Sequence, residues 1–300
     1  MNMDFLEIFG NRTSKEQKPR KLIPWMGSKE GLLDQLWGHY PEKFNNYYEP
    51  FAGGLSVAFD LKYTYPKSPK EYHFNDRNDK LINFYRQIVS DDTYDYFIDI
   101  LKDMEVRYNM IDTLEARTDF FYDMRKNFNI GKYENDTEKA VSFYFLIQRS
   151  FQHMWRENSK GEFNLPFRND MDNLSISYGR FKDFHDMFHD AEFCCMDFKD
   201  FINKQSFQKG DFIYFDPPYD ETFNLYNKDN FNEDNQKSLA VIIRSLVDKG
   251  CYCLISNSKT ELIQNLYKDY KIINIFRGNK FQRVGNNKDK SVPECLIKTW

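Results

Sequence analysis

Phe212-Ile213-Tyr214-Phe215-Asp216-Pro217-Pro218-Tyr219 is an apolar run that ends in an acid, two prolines and an aromatic ring. Preceded by Gly210-Asp211, it has the length and composition of a buried strand. Neither proline can donate an N–H to a ladder, so the strand must stop there and the chain must continue as a stiff, extended loop. That loop presents a carboxylate, a proline carbonyl and a ring face. Together they suit a flat molecule bearing an amino group, which finds two acceptors for its N–H bonds and a surface to stack on. Taken alone, an acid before two prolines is equally well a plain turn.

Outward from this strand the chain has an α/β rhythm. Residues 47–51 read as a strand that ends in Ala52-Gly53-Gly54, with a helix over 55–61; a short helical pattern at 31–37 precedes them. Residues 72–75 form a second strand, followed by Asp76 and a helix over 80–89. Strand, glycine loop, helix, strand, acid is the order of the first half of a nucleotide-binding α/β unit. Between about 91 and 189 the character changes: helical patterns at 96–104, 114–128 and 138–151 precede a polar, loop-rich run to 184. The rhythm then returns, with strands expected at 192–196, 212–215, 252–255, 271–276 and 294–299 and helices at 236–247 and 261–267. The expected architecture is a Rossmann-like, doubly wound mixed sheet built from 15–90 and 190–300, with 91–189 as an inserted, mainly helical module.

The composition narrows the class. Hydrophobic residues make up 41% of the 300, enough for a sizeable core, and an aromatic share of 18% supplies ring faces as well as core. No apolar run approaches the ~18 residues of a membrane span. Residues 1–9 lack a basic start followed by an apolar stretch, so no secretory signal is expected and the protein reads as cytoplasmic. Neither Cys194-Cys195 nor Cys251-x-Cys253, with Cys295 left over, has the spacing of a zinc site, so reduced thiols and no metal are expected. The net charge of −4 argues mildly against nucleic acid, but the distribution argues the other way: Arg277, Lys280, Arg283, Lys288 and Lys290 stand against the single acid Asp289 in one stretch. Contacts to phosphates are local and screened within about 8–10 Å, so a globally acidic chain can still make them.

Two further constellations carry chemistry. Glu49-Pro50-Phe51-Ala52-Gly53-Gly54 follows a strand and opens a helix, where glycines allow a tight turn and close approach of a ligand. The fingerprint G-x-G-x-x-G is absent, which argues against pyrophosphate and against a nicotinamide dehydrogenase. Asp76, at the tip of the next strand, is placed to hold ribose hydroxyls. Glycine loop plus acid without a phosphate motif suits an adenosine-type cofactor with an amino-acid tail. Upstream, Trp25-Met26-Gly27-Ser28-Lys29 sets a ring and a cation four apart around a glycine, able to stack on a ring and pair with a carboxylate.

In this order, Trp25–Lys29, Glu49–Gly54, Asn75-Asp76-Arg77-Asn78, the stretch 158–167 (Asn-Ser-Lys-Gly-Glu-Phe-Asn-Leu-Pro-Phe), Asp216–Tyr219 and Leu254-Ile255-Ser256-Asn257 resemble the Dam-type family of DNA adenine-N6 methyltransferases. The resemblance spans about 21–300 and implies a class I methyltransferase fold. It also implies S-adenosylmethionine held by Trp25, Lys29, Phe51, Ala52, Gly53, Gly54 and Asp76, with Asp197 and Phe198 framing its adenine. Asp216 would stand between cofactor and target, and Asp216, Pro217, Pro218 and Tyr219 would form the catalytic loop, acting on an adenine flipped out of duplex DNA. Arg156, beside Asn158, matches a family position that contacts DNA, and Arg277, Lys280 and Arg283 would grip phosphates. A cognate restriction endonuclease acting on the same site is a further implied partner. The chain departs from the family in three places. Gly-Gly-Lys is Gly27-Ser28-Lys29, the last glycine of F-x-G-x-G is Leu55, and Asn-Gly-Leu is Gln152-His153-Met154. The third departure leaves the family's usual GATC target open. Cytosine N4 in DNA, adenine in RNA, and a non-catalytic nucleic-acid-binding regulator on the same scaffold are the competing readings.

Overall fold

The computed structural model describes residues 21–65, 69–219, 231–276 and 293–300. Among them seven strands form one mixed sheet: β1 (Tyr47–Glu49), β2 (Tyr72–Asn75), β3 (Glu192–Cys194), β4 (Phe212–Phe215), β5 (Tyr252–Ser258), β6 (Lys271–Ile275) and β7 (Glu294–Lys298). Their order across the sheet is β3-β2-β1-β4-β5-β7-β6. Strands β1 to β5 are parallel, and β7 runs antiparallel between β5 and β6. This is the expected Rossmann-like, doubly wound mixed sheet, with the antiparallel seventh strand of class I methyltransferases.

The apolar run at 212–215 is continuous because both faces of the parallel sheet are covered. Successive side chains point to opposite faces. Phe212 and Tyr214 enter one buried cluster, with Tyr47, Phe74 and Leu254; Ile213 and Phe215 enter the other, with Tyr48 and Ile255. The first face is covered by α2 (Ser56–Thr64) through Phe59 and by α7 (Tyr178–Phe188) through Phe184 and Phe188. The second is covered by α8 (Phe198–Lys204) and α9 (Glu233–Asp248) through Phe201, Leu239 and Ile243. A short irregular turn, α1 (Leu33–Leu36) flanked by 3-10 segments, precedes the sheet, and α10 (Glu261–Leu266) follows β5.

Between α3 (Asp79–Val89) and α7 the chain inserts α4 (Asp91–Asn109), α5 (Leu114–Asn129) and α6 (Asp136–Arg149). The insertion docks on α3: the Phe84 ring lies parallel to Tyr144 at 6.0 Å and tilted against Phe143 at 5.8 Å. Two buried arginines stiffen it, with the guanidinium groups of Arg117 and Arg149 4.9 and 4.8 Å from the Tyr108 ring. Arg117 also donates to the carbonyls of Met171 and Asp172, and Arg149 pairs with Asp170 at 2.5 Å. The loop after α6 is thereby tied to the helices beneath it.

The carboxyl end of β1 lies next to that of β4, and the chain winds away from this pair in opposite directions. Such a switch point leaves a crevice at the strand ends. The loops that begin at Pro50 and Asp216 both open there.

Candidate active site

The glycine loop is shaped by close packing against Trp25. Gly53 has φ +47, and a Cβ added at Gly53 or at Gly54 would stand 3.3 Å from Trp25 atoms. Leu55 also adopts a left-handed φ of 55, although it carries a side chain. That side chain is 1% exposed, so its burial holds the strained backbone in place. The loop is pinned from below as well. Asn75 donates to the carbonyls of Pro50 (3.0 Å) and Met196 (3.1 Å), and its own oxygen accepts from the Met196 N–H. Tyr85 donates its hydroxyl proton to the Gly53 carbonyl at 2.8 Å.

Asp76 stands at the rim of this loop, half-buried, and both of its oxygens accept backbone N–H groups. Gly53 donates to one at 3.0 Å and Asn78 to the other at 2.9 Å. Burial raises its pKa, against the pull of these N–H donors. These backbone donors fix the plane of the carboxylate, which can accept about four hydrogen bonds and so can still take one from a ribose hydroxyl. Phe51 and Phe198 form a tilted ring pair with centroids 5.3 Å apart, and the Phe51 and Phe231 rings meet nearly at right angles with centroids 5.7 Å apart. Asp197 caps α8 by accepting from Lys199 N–H at 2.9 Å and lies 4.0 Å from Arg77.

Across the crevice, Lys29 is 3% exposed, and its ammonium donates to Asp216 Oδ2 at 2.6 Å and to the Gly27 carbonyl at 2.9 Å. The same Nζ lies 5.0 Å from the Tyr219 ring centroid. Tyr219 donates its hydroxyl proton to Glu294 on β7 at 2.9 Å. Gln236 on α9 donates to the Pro218 carbonyl at 3.1 Å, and its oxygen accepts from Asn257 at 3.2 Å. Both amides are fully buried. The Asp-Pro-Pro-Tyr loop is thus held at three points.

Glu49, at the end of β1, is buried beneath these loops and accepts from the Tyr47 hydroxyl at 2.5 Å. Burial, reinforced by the negative charge of Asp216, pushes its pKa up to about 8 against the hydrogen bond from Tyr47. The active-site floor therefore holds one carboxyl that is neutral over most of the neutral range.

Arg156 and Asn158 lie on a small hairpin of the insertion, closed by a bridge between Glu157 and Phe163. Arg156 Nε donates to Asn164 at 2.8 Å. The Asn158 amide is committed to the turn, accepting from the N–H groups of Lys160 and Glu162 and donating to the Glu162 carboxylate at 2.7 Å. Glu157 ties the hairpin to the start of α3 through Lys80, 3.1 Å away, and also accepts from Trp155 at 3.0 Å. At the turn after α6, Gln152 and His153 both have positive φ, 58 and 52, the conformation that favours Asn and Gly. Arg277, Lys280 and Arg283 lie outside the described residues.

The folded chain thus brings Trp25, Lys29, the loop 51–54, Asp76, Phe198 and Asp216–Tyr219 to one crevice, from five separate stretches. Glu49, which opens the glycine-loop motif but was given no role, also belongs to it, as do Gln236 and Glu294, which no motif marked. The matching of whole chains points the same way. The D12 class of N6 adenine-specific DNA methyltransferases matches residues 25–278. The chain belongs to this family. Among its relatives, the type II methyltransferase M1.LlaDCHI of Lactococcus lactis subsp. cremoris is 29% identical over 262 residues, covering 84% of this chain and 86% of that one. The retron Ec67 DNA adenine methylase of Escherichia coli is 31% identical over 249 residues, covering 83% and 81%. A solved structure, the rRNA methyltransferase aviRa from Streptomyces viridochromogenes, aligns over 89% of this chain and 81% of that one at 10% identity, with a TM-score of 0.31, too loose to add to the strand order itself. The methyltransferase therefore acts on adenine N6 in DNA, which removes the readings as a cytosine-N4 or RNA enzyme and as a non-catalytic regulator. Among the described residues no group of three or more His, Cys, Asp or Glu is placed to hold a metal, and no helix is long and apolar enough to cross a membrane.

Proposed function

We propose that this methyltransferase takes its methyl group from S-adenosylmethionine, bound at the carboxyl ends of β1 and β2, and places it on an adenine turned out of duplex DNA. The observation that carries the reading is the Asp76 carboxylate, pinned at both oxygens beside a glycine turn and a Phe51–Phe198 ring pair. Such a set fits an adenosine: the acid for the ribose hydroxyls, the rings for the base, and the open glycine backbone of Ala52–Gly54 for the rest. Trp25 supports that backbone from behind, and Asp197 stands at the rim beside Phe198. When bound, the cofactor supplies an electrophilic methyl group on a sulfonium.

The chain's own residues do the rest by positioning. Adenine N6 is a poor nucleophile because its lone pair is delocalised into the ring. Acceptance of its two N–H bonds by the Asp216 carboxylate and the Pro217 carbonyl favours a pyramidal nitrogen whose lone pair points at the methyl. Lys29 fixes one oxygen of Asp216, and Tyr219 offers a face on which the extruded base stacks. Once N6 carried the methyl group it would lose one of its protons, and Asp216 is the carboxylate of the loop that would accept it. That proton becomes acidic only after attack, so an ordinary carboxylate suffices as its acceptor. Orientation and preorganised charge supply the acceleration.

Target reading belongs to the stretch 91–189, apart from α7, which covers the sheet, with Arg156 as the base-reading side chain and Asn158 holding its hairpin in shape. Residues 15–90 and 190–300 make up the catalytic body. The basic stretch holding Arg277, Lys280 and Arg283 supplies phosphate contacts. A cytoplasmic enzyme with a cognate restriction endonuclease on the same site fits the type II name carried by its relative from Lactococcus lactis. Replacement Asp216→Ala tests the site. Methyl transfer to DNA should fall below detection while S-adenosylmethionine still binds in calorimetry, and robust turnover by the variant would remove Asp216 from the chemistry.

A further inference from the structure

Gln236 is a fully buried amide on α9, joined to the catalytic loop on one side and to the tip of β5 on the other. Its orientation is determined by its neighbours. Asn257 uses its side-chain oxygen to accept from the N–H of Ser258 at 2.8 Å, so its NH2 faces Gln236. Gln236 must then present its oxygen to Asn257 and its NH2 to the Pro218 carbonyl, 3.1 Å away. The donors run one way: Ser258 N–H to Asn257, Asn257 to Gln236, Gln236 to Pro218. In a buried chain of this kind each bond polarises the next, and a reversed amide would set oxygen against oxygen.

The end of this relay matters for the reaction. Proline fixes φ of residue 218 near −65°. Tying down the Pro218 carbonyl fixes the remaining rotation, ψ of that residue. The Pro217 carbonyl on one side and the Tyr219 ring on the other are then oriented together. Glu294 holds the far end of the same ring. We propose that Gln236, oriented by Asn257, is a positioning residue for methyl transfer: it aims the Pro217 carbonyl and the Tyr219 face at the extruded adenine. The assignment rests on the proposed role of the Asp216–Tyr219 loop.

The replacement Gln236→Glu isolates this role, because it changes one atom and no volume. As a carboxylate, the new group sets an acceptor against the Pro218 carbonyl and should turn the loop away. As a neutral acid it restores the order, donating O–H to Pro218 and accepting from Asn257. Burial favours the neutral form, so the change falls within the working pH range. Glu49 in the site floor, which titrates at about 8, Asp216, Tyr219, Glu294 and Lys29, with Glu233, Asp234 and Lys237 on α9, also carry titratable groups, so each reading is a ratio to the parent enzyme at the same pH.

Turnover on duplex DNA, S-adenosylmethionine affinity by calorimetry and thermal stability are measured for both proteins between pH 5.5 and 8.5. At pH 8.5 the variant should turn over about 10- to 100-fold more slowly, the usual cost of a misplaced reacting group. At pH 5.5 it should return to within about threefold of the parent, with cofactor affinity within about twofold throughout. Asn257→Asp, which forces the Gln236 amide to reverse, should lose turnover in the same way. Parent-like turnover at both pH values, or a loss that does not recover at low pH, or a loss that tracks cofactor affinity, overturns the role of Gln236. If the parent itself makes no N6-methyladenine, the reading of the site fails instead.

Discussion

Replacing Glu49 with Gln should remove a pH dependence of stability that the parent protein carries. The folded carboxyl titrates at about 8, against 4.5 for the exposed group. A raised carboxyl pKa means that the folded state binds the proton more tightly. Its favourable contribution is complete below pH 4.5 and is lost as pH rises through 8. One pKa unit corresponds to about 1.4 kcal/mol, so the full swing is about 5 kcal/mol. Between pH 5.5 and 7.5 the folded group is mostly protonated and the unfolded group mostly is not, which leaves a loss of about 2 kcal/mol over that interval. Glu49 is 2% exposed, so solvent screening takes little from this figure. Glu192 shifts the opposite way, to about 2, held down mainly by bonds from Lys204 and His73. Its window lies below pH 4.5 and does not overlap. The glutamine keeps the oxygen that accepts from Tyr47 and has no proton to lose. Urea unfolding of both proteins at half-unit steps should show the parent weakening relative to Glu49→Gln by about 2 kcal/mol from pH 5.5 to 7.5. Parallel curves would refute the burial of a protonatable carboxyl under the active site.

At Leu55 two effects oppose each other. Leu55→Gly relieves a left-handed backbone worth about 1 kcal/mol but empties a buried leucine site, which costs about 2–5 kcal/mol. Net destabilisation of about 2 kcal/mol is expected in thermal unfolding, and a gain in stability would show that strain, not packing, dominates there. Arg156→Ala should relax discrimination at one base position by about 1–3 kcal/mol while leaving other positions alone. Methylation rates across a set of duplexes with single base-pair changes would show this, whereas a uniform loss would make Arg156 a phosphate contact.

Much of the fold was legible because its signals are local. The run 212–215 is apolar throughout since both faces of β4 are buried, and the two prolines mark where it ends. Helix α7 was hidden, because Arg180, Lys182, Asp183 and Asp186 fill the gaps between Phe181, Phe184 and Phe188, and the polar residues suggested a loop. Helix α8 had a usable sign in Asp197 as cap and the spacing of Phe198, Phe201 and Ile202. Within the site, the motif residues could be named because each sits beside a glycine, proline or strand end. Glu49 opens the glycine-loop motif, but nothing in that motif marks it as a buried, protonatable group; only closure of the loops over β1 buries it. Gln236 has no signal at all, since a single amide in an amphipathic helix gains meaning only when Pro218 and Asn257 arrive from distant strands. Lys29 reads in sequence as a residue that holds the cofactor; the fold pairs its ammonium with Asp216, a partner 187 residues away that no local spacing announces.

The most direct measurement is analysis of hydrolysed nucleosides after incubation of the purified protein with S-adenosylmethionine carrying a labelled methyl group and with duplex DNA or RNA. Label in N6-methyldeoxyadenosine alone, dependent on Asp216, is the predicted result. Label in N4-methyldeoxycytidine or in an RNA nucleoside, or its absence from all of them, would contradict the account.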